Sequence, residues 1–280
     1  MFPSILKDLF RIKKLDLSLG IFIGLVSMSI VGSALFYPNP DKLYLNLYES
    51  PPSSQFPLGT GNYKDLLAQL ISGIKNSFYI GAMAALISLA IGVLVGVISG
   101  FKGGIIDSSL MLITDVILVL PAILIMMLIA AYLSVRNPMF VSIVIGVTAW
   151  PWVARAVRSQ IMSLKTREFM FMSKMAGLRD MRIIFEDLLP NMASYLFMAF
   201  VLLMSGAMIA EAGLSMIGYG VTAGTTLGSI LYWANLQQAV GRGFWWWFVP
   251  PGACLVAMTA SLLLMSTALD EYFSPRLKGG

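Results

Sequence analysis

Two carboxylates stand where charge is scarce. Asp115 and Glu211 each border or interrupt a stretch made otherwise of apolar residues. A charge at the centre of a bilayer costs about 2.5–3.5 kcal/mol on insertion scales, so such a side chain turns toward a partner, a bundle interior or water. One chemistry open to this pair is an ion or substrate site. The other is a neutralised or paired residue that helps helices pack, and the absence of any chain of acids that could relay protons favours it. Composition closes most other chemistry. The sequence holds no histidine, hence no usual general base, no HExxH zinc motif and no Ser–His couple. Its one cysteine, Cys254, can form neither an intrachain disulfide nor a thiolate metal cluster. The dipeptide Gly-Lys occurs nowhere, which removes the phosphate-binding P-loop. The run from Gly213 through Ser215 to Gly218 resembles a nucleophile elbow, but its last glycine comes one place late. Ser215 reads as a small residue at a helix end. No catalytic residue, bound cofactor or metal site is assigned.

The elements that would hold these residues follow from hydropathy. Of 280 residues, 58 % are apolar and 12 % charged, with a mean hydropathy of +0.82. Soluble domains average about 45–50 % apolar and about 25 % charged, so the surplus points to lipid. Charge-free runs cover 17–40, 76–101, 116–135, 137–154, 188–210 and 243–269. Each is near the length of about 17–25 residues that spans hydrocarbon as a helix. The reading is an all-α, polytopic membrane protein with six transmembrane helices. Pro121 should kink the third span. Trp150-Pro151-Trp152 looks like an interface anchor closing the fourth. A seventh run, 212–241, is rich in Gly, Thr, Asn and Gln; its start reads as the end of span five and the rest as an external loop.

Lys and Arg set the direction. With both termini cytoplasmic, 14 of the 19 basic residues lie inside and 5 outside, as the positive-inside rule requires. The net charge of +5 is thereby explained by topology, and no nucleic-acid partner is called for. The expected order is a cytoplasmic segment 1–16, helix one at 17–37, an external loop 38–77 and a core 78–270. The core holds a cytoplasmic loop 158–190 and an external loop 220–244, and a tail 271–280 follows. The first span has the basic start of a signal peptide, but its apolar stretch is too long for one and lacks a clean cleavage site. Leu66, Leu67, Leu70, Ile71 and Ile74 recur at helical spacing and predict a short amphipathic helix at the end of the first external loop. Ser88, Gly92, Gly96 and Gly100 form a small-residue face at spacing four. It serves either packing within the subunit or a mobile, subunit-contacting helix. Phe244–Phe248, with three tryptophans between, reads as an interfacial aromatic belt, with a sugar-stacking platform as the alternative.

The cytoplasmic loop carries the most information. Two helical stretches flank Gly177, which permits the left-handed turn that ends a helix. Pro190 marks a second stop before span five. Phe171, Met172, Met175 and Ala176 give the first stretch an apolar surface, and methionine suits an adaptable one. Such a helix fits a groove on a soluble partner or lies on anionic lipid.

Arg167-Glu168-Phe169, Gly177, Arg182-Ile183-Ile184-Phe185 and Leu189-Pro190-Asn191 together resemble the EAA loop of binding-protein-dependent ABC importer permeases. Over nearly its whole length the chain resembles the C-type permease of dipeptide, oligopeptide and nickel importers. Further matches are Pro57-Leu58-Gly59-Thr60, Gly103-Gly104 with Asp107, Asp115 before Pro121, Ala210-Glu211-Ala212, and Pro275-Arg276-Leu277. The chain departs from the pattern at Phe171-Met172-Ser173, where Glu-Ala-Ala is usual, and at Gly61, where an aspartate is common. The resemblance implies the ABC type I importer permease fold in the cell membrane. It implies a pore shared with a B-type permease, two ABC ATPases that hold ATP and Mg below it, and an external solute-binding protein. Peptides are the implied cargo, with oligosaccharides and nickel complexes as others. It makes the residues around 164–176 a coupling helix, with Glu168, Phe171, Met172, Met175 and Gly177 in the coupling role. The competing reading from another class is an ion-coupled secondary carrier or channel.

Overall fold

The structure, a computed structural model, describes residues 13–35, 39–132 and 134–273. The expected cytoplasmic segment up to residue 12 and the tail around Pro275-Arg276-Leu277 lie outside the described residues. Helix α1 (Lys13–Leu35) packs along α2 (Leu66–Lys102) and α10 (Trp245–Phe273), with Leu15, Ser18 and Ser29 turned inward. It is an integral part of the bundle.

Helix α2 is the central post and touches α1 and the helices at Pro138–Ala149, Pro151–Leu164 and Ala193–Met216. Its 37 residues give a length of about 55 Å at 1.5 Å per residue, well beyond the roughly 30 Å hydrocarbon layer. The short amphipathic helix expected in the external loop is its first turns. No proline separates Leu66 from Asn76, so the hydrogen-bond ladder runs on from those turns into the span. Asp65 caps the helix by accepting from the Leu67 N–H at 2.9 Å. Before it, β1 (Thr60–Gly61) and β2 (Lys64–Asp65) form a small antiparallel hairpin. Its turn residues Asn62 and Tyr63 both have positive φ (52° and 64°), the geometry of a type I′ turn.

The third and fourth spans differ from the expectation. Helix α3 (Gly104–Val119) already contains Asp107 and Asp115, and it meets α4 (Ala122–Ala131) at 82°. The charge-free run 116–135 therefore straddles a break and is not one kinked helix. Proline disfavours α conformation in the residue before it; Leu120, at ψ 131°, is extended, so the helix stops and restarts at Pro121. Helix α5 (Pro138–Ala149) begins at Asn137, whose side chain accepts from the Phe140 N–H at 2.8 Å. It bends by 48° into α6 (Pro151–Leu164). Trp150 is buried at that bend and packs inside the bundle, whereas Trp152 beside it is exposed.

Helix α6 continues through residues assigned to the cytoplasmic loop. After α7 (Glu168–Met175), the segment 180–191 stays helical and includes a π turn at Ile183–Leu188. Pro190 does not end it: the widened turn ahead of the proline loosens the ladder that its ring would strain. The bend falls at Met192, before α8 (Ala193–Met216). The expected external loop 220–244 holds a further helix, α9 (Leu227–Leu236), started by a reciprocal capping box between Thr226 and Ser229.

Among the described residues four helices are long and apolar enough to cross a membrane, and there are up to six spans if each of the two bent pairs is one. Large apolar side chains such as Ile105, Val119 and Leu35 lie on the outside, as lipid or another apolar surface requires. The aromatic run is divided. Trp247 is buried with Leu66 and Ile230, whereas Trp245 is exposed. The Trp247 ring lies so close over Gly61 that a Cβ there would come within 2.5 Å of it.

Candidate coupling site

At the end of the molecule opposite the hairpin, α7 hangs from α6 by a three-residue turn. Glu168, Phe171, Met172 and Met175 recur at three and four residues, which is one face of a helix. That face is bare: Phe171 is 61 % exposed, Met172 71 % and Met175 89 %. Met170 on the other side is buried with Ile161, Ile183 and Leu188. The helix is thus anchored by one side and presents the other.

Its end is built around Gly177, at φ +73°. The Leu178 N–H donates to the Ser173 carbonyl (3.2 Å) and the Gly177 N–H to the Lys174 carbonyl (3.0 Å), the bond pair of a Schellman motif. Ser173 occupies the last place of the usual Glu-Ala-Ala. Its hydroxyl donates to Asp187 Oδ2 at 2.7 Å and ties α7 to the π turn. On the same segment Arg182 donates to Glu186 at 2.8 Å, and that carboxylate holds the guanidinium above its ordinary value.

Helix α6, which carries α7, is clamped to α2. A Cβ on Gly92, Gly96 or Gly100 would come within 2.9 Å of Val153, Val157 or Ile161 on α6. The small-residue stripe is therefore filled by packing inside the subunit, which answers the question left open by its spacing. Lys165 closes the contact by donating to the carbonyls of Gly100 (3.2 Å) and Phe101 (2.8 Å) in the last turn of α2. Two glycines at positive φ, Gly103 (69°) and Gly104 (60°), then reverse the chain into α3.

Helices α3 and α6 are joined by two ion pairs. Arg158 forks onto Asp107, with Nε to Oδ1 and Nη2 to Oδ2 at 2.5 Å each, and Ser99 of α2 also donates to Asp107. Arg155 pairs with Asp115. The first pair is mostly shielded from solvent, the second half exposed. Asp115 is thus a paired residue. Glu211 lies elsewhere, fully buried near the end of α8, where Oε1 accepts from the hydroxyls of Ser215 and Thr226 at 2.7 Å each. The structure brings the five coupling residues together on and beside α7, and leaves the two acids apart from them and from each other. Arg155, Arg158 and Lys165 were not singled out by sequence, and Asp107 only as part of the resemblance. The available signal was two acids two turns apart and two arginines one turn apart.

Apolar helices enough for up to six spans, two of them broken, with one exposed helix at the end of the bundle, define a polytopic membrane protein. The chain belongs to the family described as binding-protein-dependent transport system inner membrane component, whose model matches residues 92–279. It is a multi-pass permease subunit of an ABC importer in the cell membrane, and not a catalytic subunit. It is 34 % identical to the oligopeptide transport system permease protein OppC of Mycobacterium tuberculosis H37Rv, over 84 % of this chain and 81 % of that one. It is 30 % identical to the dipeptide transport system permease protein DppC of Bacillus subtilis, over 96 % and 84 %. Among solved structures it resembles a chain of the MetNI methionine ABC transporter, with TM-score 0.58 and 20 % identity over 74 % of this chain and 95 % of that one. That likeness concerns the fold.

Proposed function

We propose that this subunit imports peptides together with a second permease, driven by two ATPases that bind ATP and Mg and supplied by an external solute-binding protein. The single observation that carries the coupling step is the bare apolar face of α7, which follows α6, a helix packed closely on α2 through Gly92, Gly96 and Gly100. The ATPases lie at the α7 end, inside the cell, and the hairpin end faces out. Phe171, Met172 and Met175 enter a groove on an ATPase, Glu168 lies at its rim, and Gly177 is the turn about which the helix is set. When the ATPases close, α7 is displaced as a rigid peg. The α2–α6 pair follows, and the Asp107–Arg158 fork carries α3 and the broken α3–α4 span with it, so that one face of the pore opens as the other shuts. Substrate choice follows the peptide permeases named above.

Reconstitution into liposomes tests the proposal. The full assembly of two permeases, two ATPases and a binding protein should accumulate a labelled tripeptide only when ATP is supplied. Uptake by this chain alone under an ion gradient would replace the proposal with a secondary carrier.

A further inference from the structure

At the hairpin end a cavity of about 540 Å³ opens between the chain around the hairpin, the 218–226 loop and α9. That volume is within the roughly 300–1,000 Å³ typical of small-molecule sites. Its wall is fixed in advance. Arg136 donates from Nε to the Gly220 carbonyl (2.8 Å) and from Nη2 to the Gly218 carbonyl (3.0 Å), while its own carbonyl accepts from the Thr222 and Ala223 N–H groups. Asn76 donates to the Thr225 carbonyl at 2.7 Å, and Thr226 to buried Glu211. A Cβ on Gly220 would fall on Ser215, so the loop lies tight against the end of α8. A loop held at this many points is pre-organised for a ligand.

The chemistry of the wall narrows the ligand. Asp41 and Lys64 supply both signs of charge, Gln69 and Ser229 supply donors and acceptors, and Tyr232 with Trp233 supplies an aromatic edge. Asp41 and Lys64 are paired at 2.6 Å, but with Asp41 56 % exposed the pair is worth only about 0–1 kcal/mol. A ligand bearing both charges can exchange into it with little loss. We propose that this cavity receives the ends of a short zwitterionic peptide, Lys64 taking its carboxylate and Asp41 its α-amino group, with an apolar side chain against Trp233. The inference rests on the reading that the assembly carries peptides and adds where in this chain they are first held.

The test uses the full assembly in nanodiscs and a tripeptide with a central photoreactive leucine, prepared with free ends, with an amidated C-terminus and with an acetylated N-terminus. Cross-links mapped by mass spectrometry should fall within 215–233. Lys64→Gln should cut labelling by the N-acetylated free acid about tenfold, the worth of one charge-assisted hydrogen bond, and leave the amidated probe unchanged. Asp41→Asn should do the converse. Cross-links elsewhere, or equal losses with both probes in both variants, would overturn the site. If the wild-type assembly imports peptides into liposomes and only this selectivity is absent in nanodiscs, the cavity assignment fails alone. If it imports none, the peptide reading fails and the cavity assignment with it.

Discussion

A Cβ added at Gly177 would meet nothing within 4 Å, so space is not what requires glycine there. The requirement is φ +73°, which costs an L-residue with a side chain about 1–2 kcal/mol. That is small against the stability of a membrane bundle and large against the balance of a hinge. Gly177→Val should therefore insert and assemble normally, lose uptake and leave ATP turnover running uncoupled. Gly177→Asn, a residue that tolerates the left-handed region, should keep most of both. The check is uptake and ATPase activity measured on the same proteoliposomes, and wild-type uptake in the valine variant would remove the hinge role. Gly61 is glycine for the opposite reason: the Trp247 ring takes the space a Cβ would need. This departure from the family pattern is thereby tied to a tryptophan 186 residues further on, a link that local sequence does not contain.

At the scale of elements the ion pairs decide what moves with what. Removing one partner of the better-shielded, two-bond pair strands the other charge more than removing one partner of the half-exposed pair, which is worth about 0–1 kcal/mol. Asp107→Asn should therefore loosen α3 from α6 far more than Asp115→Asn. The expected result is an uptake at least about tenfold lower with ATP still consumed, since a loss near 1.4 kcal/mol already corresponds to tenfold. The exchanged pair, Asp107→Arg with Arg158→Asp, should recover a good part of it. Equal uptake per ATP in wild type and Asp107→Asn would show that the fork carries no motion. The same pairs explain what sequence reading could and could not reach. Gly177 and the helix before it were legible because a turn is local. A charge-free run misplaces the third and fourth spans. Asp107, Asp115, Arg155 and Arg158 lie within those helices, and each is neutralised by a residue 40 or more positions away. Helix α9 escaped notice because its start rests on a Thr–Ser capping box rather than on an apolar stripe.

At the scale of the molecule, the two ends differ in what they offer. One carries bare methionine and phenylalanine on a peg, the other a pre-set polar cavity beside a small hairpin. Energy delivered at the first can reach the second only if the molecule lies across the membrane with α7 inside the cell. Labelling tests that arrangement in a Cys254→Ser background. Leu45, 75 % exposed beside the hairpin, and Met175, 89 % exposed on α7, are placed to report the two sides. Leu45→Cys should react with a membrane-impermeant maleimide on intact cells. Met175→Cys should react only once the membrane is opened. Co-assembled ATPase subunits should then slow labelling of Met175→Cys severalfold while leaving Leu45→Cys as it was, because only the peg is covered by them. Reaction of Met175→Cys on intact cells would invert the orientation. Undiminished labelling of that residue in the full assembly would mean that the apolar face of α7 lies against something other than an ATPase, and the route from nucleotide to pore would have to begin elsewhere.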